Sequence, residues 1–291
     1  MGQKPRRHTA EMSLPFYERV GRWLRAGRAV AIATVIHRQG SAPRDIGAKM
    51  LIGADGSTAF SIGGGAFEAL VIGDAREALR RGAGFEKEYR FTRHGEGSTG
   101  MVCGGAVRVL VEVIAPAPPL FIYGAGHVGR ALARLAVRLG FLVSVVDDRE
   151  RELKESRFPA AVTRVRAGAQ FKDGLPPVPE GAYVAIVTRC HETDLEAVRH
   201  AVGRGAAYVG LIGSRRKVKT VVARALEMGT PREALDTLRA PIGLPIAAET
   251  PDEIAVSIAA EMIAVRRGGA ASEALRGLAL FPRRRARRLP A

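Results

Sequence analysis

The sequence has little that could hold a fold together covalently or anchor it in a membrane. Only two cysteines occur in 291 residues, Cys103 and Cys190, and they do not form a pair with metal-ligand spacing. A disulfide framework is therefore excluded. No apolar run approaches the length of a membrane span, and the N-terminal segment lacks the zones of a signal peptide. We expect a cytoplasmic protein without a membrane partner.

Acidic residues are outnumbered, and the formal net charge is +16. Half of this excess comes from Lys4, Arg6 and Arg7 and from the five arginines between positions 283 and 288. We expect residues 1–11 and 281–291 to be disordered basic tails. Such tails could bind nucleic acid without sequence preference. No aromatic interleaving or nucleic-acid motif accompanies the charge, which favours a role in solubility and predicts no specific nucleic-acid partner.

Residues 12–115 have the pattern of a small α+β domain. Ser13 followed by Pro15 favours a helix start, and an Asp55-Gly56 pair suits a hairpin turn. A glycine run at 63–65 precedes a second helical pattern at 66–81, and the polar segment 92–105 is typical of a loop. The candidate strands lie at 29–37, 48–53, 57–62, 85–91 and 107–114.

A proline-rich linker at 115–119 separates this region from a different pattern, in which strands and helices alternate. Short apolar runs, typical of strands buried on both faces of a parallel sheet, lie at 120–123, 142–146, 183–188 and 208–212. Helical patterns lie at 128–139, 195–204 and 217–228, and a last one begins at Thr250. The sequence predicts an α/β protein in which a Rossmann-like, doubly wound parallel sheet at 119–268 follows the smaller domain.

The segment Gly124-Ala125-Gly126-His127-Val128-Gly129 follows a strand and opens a helix. Glycines let the backbone approach a pyrophosphate, and the helix start offers free N–H groups, so the segment predicts a pyrophosphate site that includes His127. Asp147, at the end of the next strand, has nearly the spacing of an acid that meets ribose hydroxyls. A tight turn without a ligand is the alternative.

Two further strand ends should face the same rim of the sheet. One carries His191 and Asp194, and the other carries Ser214 and Arg215, a candidate for a second anion site at a helix start. His191 and Asp194 could instead form a local helix cap.

The first domain contributes three candidate segments, which contain Ser41 and Arg44, then Gly63, Gly64, Gly65 and Glu68, and finally Cys103, Gly104 and Gly105. The glycine run could hold an anion, although Glu68 taken alone is better explained as a complement to the helix dipole. A thiol beside two glycines could be a nucleophile, a sulfur carrier or a soft metal ligand, whereas a lone cysteine is more often inert. We take Cys103 as the candidate catalytic residue and metal ligand, and expect Cys190 to pack after its strand.

Together these segments resemble the XdhC/CoxI family, the accessory factors of xanthine dehydrogenase and related molybdenum hydroxylases. The resemblance covers roughly residues 14–268. It rests on residues 40–44 with Gly47, 62–65 with Glu68, 103–105, 124–129, His191 with Asp194, 210–217, 241–243 and 250–255.

The resemblance implies a protein that binds molybdenum cofactor, as molybdopterin or its cytosine dinucleotide form. Such a protein protects the cofactor while its sulfido ligand is installed and passes it to an apo molybdenum hydroxylase. A cysteine desulfurase is the second implied partner, a homodimer is compatible with the family, and a chaperone role is favoured over catalysis. The alternative is an NAD(P)-dependent oxidoreductase, because the glycine fingerprint is commonest there.

Overall fold

The computed structural model describes residues 10–91 and 105–268, which divide into two compact units between Ala117 and Pro118. Cys103 and Gly104 lie outside the described residues, as do the predicted tail 281–291 and the first nine residues of the predicted tail 1–11. The last two residues of that N-terminal segment belong to the first helix.

The first unit is an antiparallel five-stranded sheet in the order β3-β2-β1-β5-β4 with a helix on each face. Its elements are α1 (Ala10–Arg25), β1 (Val30–Gln39), β2 (Lys49–Gly53), β3 (Thr58–Phe60), α2 (Gly65–Arg81), β4 (Phe85–Arg90) and β5 (Ala106–Ile114). Side chains along β1 alternate between two cores: Ala31 and Val35 pack with α2, and Val30 and Ile32 pack with α1. This double burial explains the continuous apolar run in β1.

The predicted start of α1 was wrong, because the helix begins at Ala10 and contains Pro15. Proline has no N–H to donate, so one intrahelical hydrogen bond is missing there. The buried stripe of Phe16, Val20 and Trp23 still packs against the sheet. The predicted helical face is therefore present, and only the start of the helix differs from the prediction.

The second unit is a six-stranded parallel sheet in the order β11-β10-β9-β6-β7-β8. Its strands and helices are β6 (Pro119–Tyr123), α3 (His127–Arg138), β7 (Leu142–Asp147), β8 (Thr163–Arg166), β9 (Tyr183–Ile186), α4 (His191–Ala201), β10 (Tyr208–Leu211), α5 (Arg215–Glu227), α6 (Arg232–Leu235), β11 (Leu238–Arg239) and α7 (Pro251–Arg267). This order confirms the predicted Rossmann-like fold.

The strand order places a crevice at the carboxyl end of β6. The chain runs outward from β6 through β7 to β8 and then returns to β9 on the other side of β6. Ligands of open α/β sheets bind at such a reversal. Leu132 of α3 and Met262 of α7 cover one face of the sheet, and Val198 of α4 and Val218 of α5 cover the other.

Within residues 10–91 and 105–268, no helix is long and apolar enough to cross a membrane.

Candidate functional site

The three glycines of the turn after β6 have three different physical roles. Gly124 has a φ of 113°, and a Cβ there would lie 2.5 Å from the carbonyl oxygen of Val187. A Cβ on Gly129 would collide with the carbonyl oxygen of Gly124. At Gly126, by contrast, a Cβ would meet no described residue within 4 Å apart from its chain neighbours. The outer glycines are required by the fold, whereas Gly126 leaves open space beside the turn.

The start of α3 offers free donors next to that space. The amide of Gly124 donates to Val146 O at 2.8 Å, and the amide of Ala125 donates to Asp147 Oδ2 at 2.7 Å. The amides of Gly126 and His127 have no acceptor among the described residues. Free N–H groups and the positive end of a helix dipole favour an anion. His127 is exposed at the same helix start.

Asp147 lies beneath this turn and not at its surface. Its side chain is 2% exposed and accepts four hydrogen bonds. Besides the Ala125 amide, Arg149 donates its backbone N–H and its Nε to Oδ1 and its Nη2 to Oδ2, each at 2.9 Å. The hydrogen bond to Asp147 is the main cause that raises the pKa of the Arg149 guanidinium. The carboxylate thus supports the glycine turn from inside.

Asp148, the next residue, links the loops after two other strands. Arg189, in the loop after β9, donates to both of its carboxylate oxygens, and the Gln170 amide, in the loop after β8, donates to Oδ2 at 3.0 Å. The hydrogen bond from Arg189 lowers the pKa of Asp148 to about 2, although burial opposes the shift. Gln170 and Phe171 have φ values of 56° and 63°, which non-glycine residues rarely adopt.

The structure separates His191 from Asp194. The His191 ring is exposed, and its Nε2 lies 2.8 Å from Glu192 Oε1. Asp194 is fully buried, accepts a 2.6 Å hydrogen bond from Thr188 Oγ1 and forms an ion pair with Lys217. Burial raises the pKa of Asp194, while Lys217 and Thr188 oppose that rise. Neither predicted residue caps α4, whose N-cap residue is Cys190.

Lys217, like Arg149 and Arg189, belongs to the site although its sequence pattern did not indicate it. Ser214 caps α5 by accepting the Lys217 amide at 3.3 Å, and Arg215 is exposed in the first helical turn. The Lys217 ammonium reaches the buried Asp194, so the helix starts after β9 and β10 are joined by one ion pair. The position of Lys217, three residues after a serine N-cap, is the sequence signal that could have indicated its place.

In the first unit, the segments singled out in the sequence lie together. A Cβ on Gly63 would lie 2.5 Å from Cγ of Pro43, and a Cβ on Gly105 would collide with the Ser41 carbonyl oxygen. The Phe91 amide donates to Gly105 O at 2.8 Å. Arg44 is exposed and has no hydrogen bond or ion pair with another described residue. Ser41, the glycine turn at 63–65 and Gly105 therefore lie close together in the first unit.

Glu68 already occupies two backbone amides where the glycine turn 63–65 begins. Its Oε1 accepts from Ser61 Oγ at 2.7 Å, from the Ile62 amide at 2.9 Å and from the Gly63 amide at 3.0 Å. Burial raises the pKa of Glu68, but these hydrogen bonds outweigh burial and lower it. Gly64 and Gly65 have positive φ values of 81° and 64°. The arrangement favours Glu68 as an internal complement to the start of α2.

No group of three or more His, Cys, Asp or Glu side chains within the described ranges could hold a metal ion. The predicted ligand Cys103 lies outside those ranges.

Two family models match consecutive parts of the chain. The model described as the XdhC Rossmann domain matches residues 120–262, and the model described as the XdhC and CoxI family matches residues 23–90. The chain belongs to the XdhC and CoxI family. The predicted family is therefore confirmed.

Three curated proteins are similar to this family member. The uncharacterized protein YqeB of Escherichia coli K12 is 38% identical over 81% of the chain and 43% of its own length. A probable xanthine dehydrogenase subunit of Bacillus subtilis 168 is 31% identical over 55% of the chain and 46% of its own length. The molybdenum cofactor insertion chaperone PaoD of E. coli K12 is 25% identical, over 84% and 85%. The chain spans less than half the length of the first two proteins.

Proposed function

We propose that this protein binds molybdenum cofactor and delivers it to a xanthine dehydrogenase-type molybdenum hydroxylase. Family membership supports the proposal, as do the names of two relatives, a molybdenum cofactor insertion chaperone and a probable xanthine dehydrogenase subunit. We also propose that the protein supports sulfuration of the cofactor together with a cysteine desulfurase.

The proposal depends on one observation, the open space beside Gly126 at the start of α3. Molybdenum cofactor ends in a phosphate, or in a pyrophosphate when cytidine is attached, and such groups bind at helix N-termini. The amides of Gly126 and His127, which have no acceptor among the described residues, lie beside a Gly126 Cβ position that no described residue beyond its chain neighbours approaches within 4 Å. We assign the phosphate end of the cofactor to this turn.

We propose that the sulfur chemistry belongs to the first unit. The nearest described neighbour of Cys103 in the chain is Gly105, which packs against the Ser41 carbonyl. A thiolate suits a metal already held by dithiolene sulfurs, and the exposed Arg44 of this unit offers a cation for an anionic ligand.

The test is the identity of the small molecules that the protein carries. The full chain is purified from a molybdenum-replete and a molybdenum-starved host, denatured, and analysed for released pterin, nucleotide and metal. We expect a pterin phosphate with molybdenum from the replete host only, and activation of an apo-hydroxylase by that preparation alone. Release of a nicotinamide dinucleotide without pterin, together with substrate turnover, would contradict the proposal.

A further inference from the structure

The carboxylate that a Rossmann site usually offers to a ribose is enclosed by protein donors in this chain. A carboxylate has about four acceptor positions. Asp147 uses four hydrogen bonds, one from Ala125 and three from Arg149, and its side chain is 2% exposed. A sugar hydroxyl therefore finds neither a free lone pair nor a path to this side chain.

Arg149 is held in this place by more than one acid. Its Nη1 lies 3.9 Å from Glu152 Oε1, and its Nε lies 4.0 Å from Asp148 Oδ1. Its side chain is 25% exposed. Since three carboxylates surround the guanidinium, a neutral hydroxyl cannot displace it at low cost. Arg149 is therefore held firmly over the Asp147 carboxylate.

Asp148 does not replace Asp147 as an acceptor for a ribose hydroxyl. Its side chain is 7% exposed, and Arg189 and the Gln170 amide occupy three acceptor positions. The two acids at the end of β7 are thus covered by Arg149 and by Arg189 from the loop after β9, and the charges of these arginines are balanced by the acids. Among the described residues, the amides of Gly126 and His127 are donors in the crevice that have no acceptor.

We propose that Arg149 is a selectivity residue that masks the ribose acceptor, so that the cradle recognises a phosphate or diphosphate and makes no contact with the ribose hydroxyls of a nucleotide. The proposal rests on the assignment of the phosphate end of the ligand to the turn at Gly124–Gly129. The proposal predicts that the ribose of a bound nucleotide gains little affinity from Asp147.

Titration calorimetry on the full chain tests the mask with four probes: inorganic pyrophosphate, CDP, its 2′-deoxy analogue and ADP-ribose. Wild type should bind CDP and deoxy-CDP with affinities within twofold of each other. Arg149→Ala exposes the carboxylate and should prefer CDP by about tenfold, the value of one hydrogen bond to a charged group. It should also gain affinity for ADP-ribose. Arg149→Lys, which keeps the charge without the fork, should shift the ratio in the same direction.

Arg151→Ala is the matched control, because Arg151 lies two residues away, is 76% exposed and does not contact Asp147. Its CDP to deoxy-CDP ratio should equal that of wild type. A wild-type preference for CDP above fivefold would overturn the mask while leaving the phosphate site intact. An unchanged ratio in both Arg149 variants would also overturn it. Failure of wild type to bind pyrophosphate and both nucleotides would overturn the phosphate site itself.

Discussion

Arg189 and Asp148 form a two-pronged ion pair between the loops that follow β9 and β7, the two strands on either side of β6. The pair therefore spans the carboxyl end of β6, where the glycine turn begins. Because Asp148 is 7% exposed, solvent screens this pair less than an ordinary surface ion pair. It ties the two sides of the crevice together.

Asp148→Asn should reduce the free energy of unfolding at neutral pH by about 2 kcal/mol, the equivalent of its pKa shift. The folded-state pKa of about 2 lies below the ordinary 3.8, so the carboxylate stabilises the fold above pH 3.8 and loses that effect as the pH falls towards 2. Urea unfolding at several pH values measures it. A difference between variant and wild type that grows on acidification would contradict the assignment.

Gly126→Val should abolish phosphate binding and leave the fold intact. The new Cβ lies more than 4 Å from every described residue except its chain neighbours, in a backbone conformation with φ of −70° that any residue adopts. Titration with pyrophosphate and circular dichroism measure the two effects. Gly73→Val, at another open glycine that lies on α2, is the control and should bind as wild type does. Equal affinity of Gly126→Val and wild type would show that the site lies elsewhere.

Cys103→Ser should lower the molybdenum content of the purified protein or its ability to activate a client hydroxylase, because the proposed soft ligand or sulfur carrier is lost. Cys190→Ser is the matched control. Cys190 is the N-cap residue of α4, and its Sγ lies 3.3 Å from Thr193 Oγ1, so we expect at most a modest loss of stability. Full activation by Cys103→Ser in a defined assay would show that this thiol has no part in activation.

Lys217→Met should destabilise the fold more than Asp194→Asn does. Removal of the lysine leaves a fully buried carboxylate without its cation, which costs about 3 kcal/mol. Asparagine can still accept from Thr188, and Lys217 is 29% exposed and can turn to water. The double variant should recover part of the loss from Lys217→Met. Urea unfolding of the three variants measures this, and the reverse order of stabilities would refute it.

The sequence was sufficient to predict the elements whose side chains are almost all buried. The buried strands β6, β7, β9 and β10 were found within two residues of their ends, since each is an apolar run between turn signals. Strand β11 was missed because it has two residues. The polar first turn of α4, which begins at His191, was interpreted as part of the crevice rim, so the predicted helix began at residue 195.

The environment of the candidate site could be predicted only in part. The glycine spacing indicated the open approach at Gly126, because that pattern is tied to a local backbone path. The masking of Asp147 depends on Arg149 folding back two residues along the chain, and no spacing rule encodes that conformation. In the same way, the ion pair of Asp194 with Lys217 joins residues brought together only by the order of the strands.

Strand β8 was not predicted from the sequence because it is polar, and this polarity has a consequence of its own. It lies at one edge of the parallel sheet, and Thr163, Arg164 and Arg166 are exposed along it, so its sequence has no apolar run. Arg164 and Arg166 pair with Glu155 and Glu150. Charged side chains on an edge strand discourage association with the strands of other molecules. The polarity that conceals β8 from sequence analysis should thus protect newly made chains from aggregation at this edge.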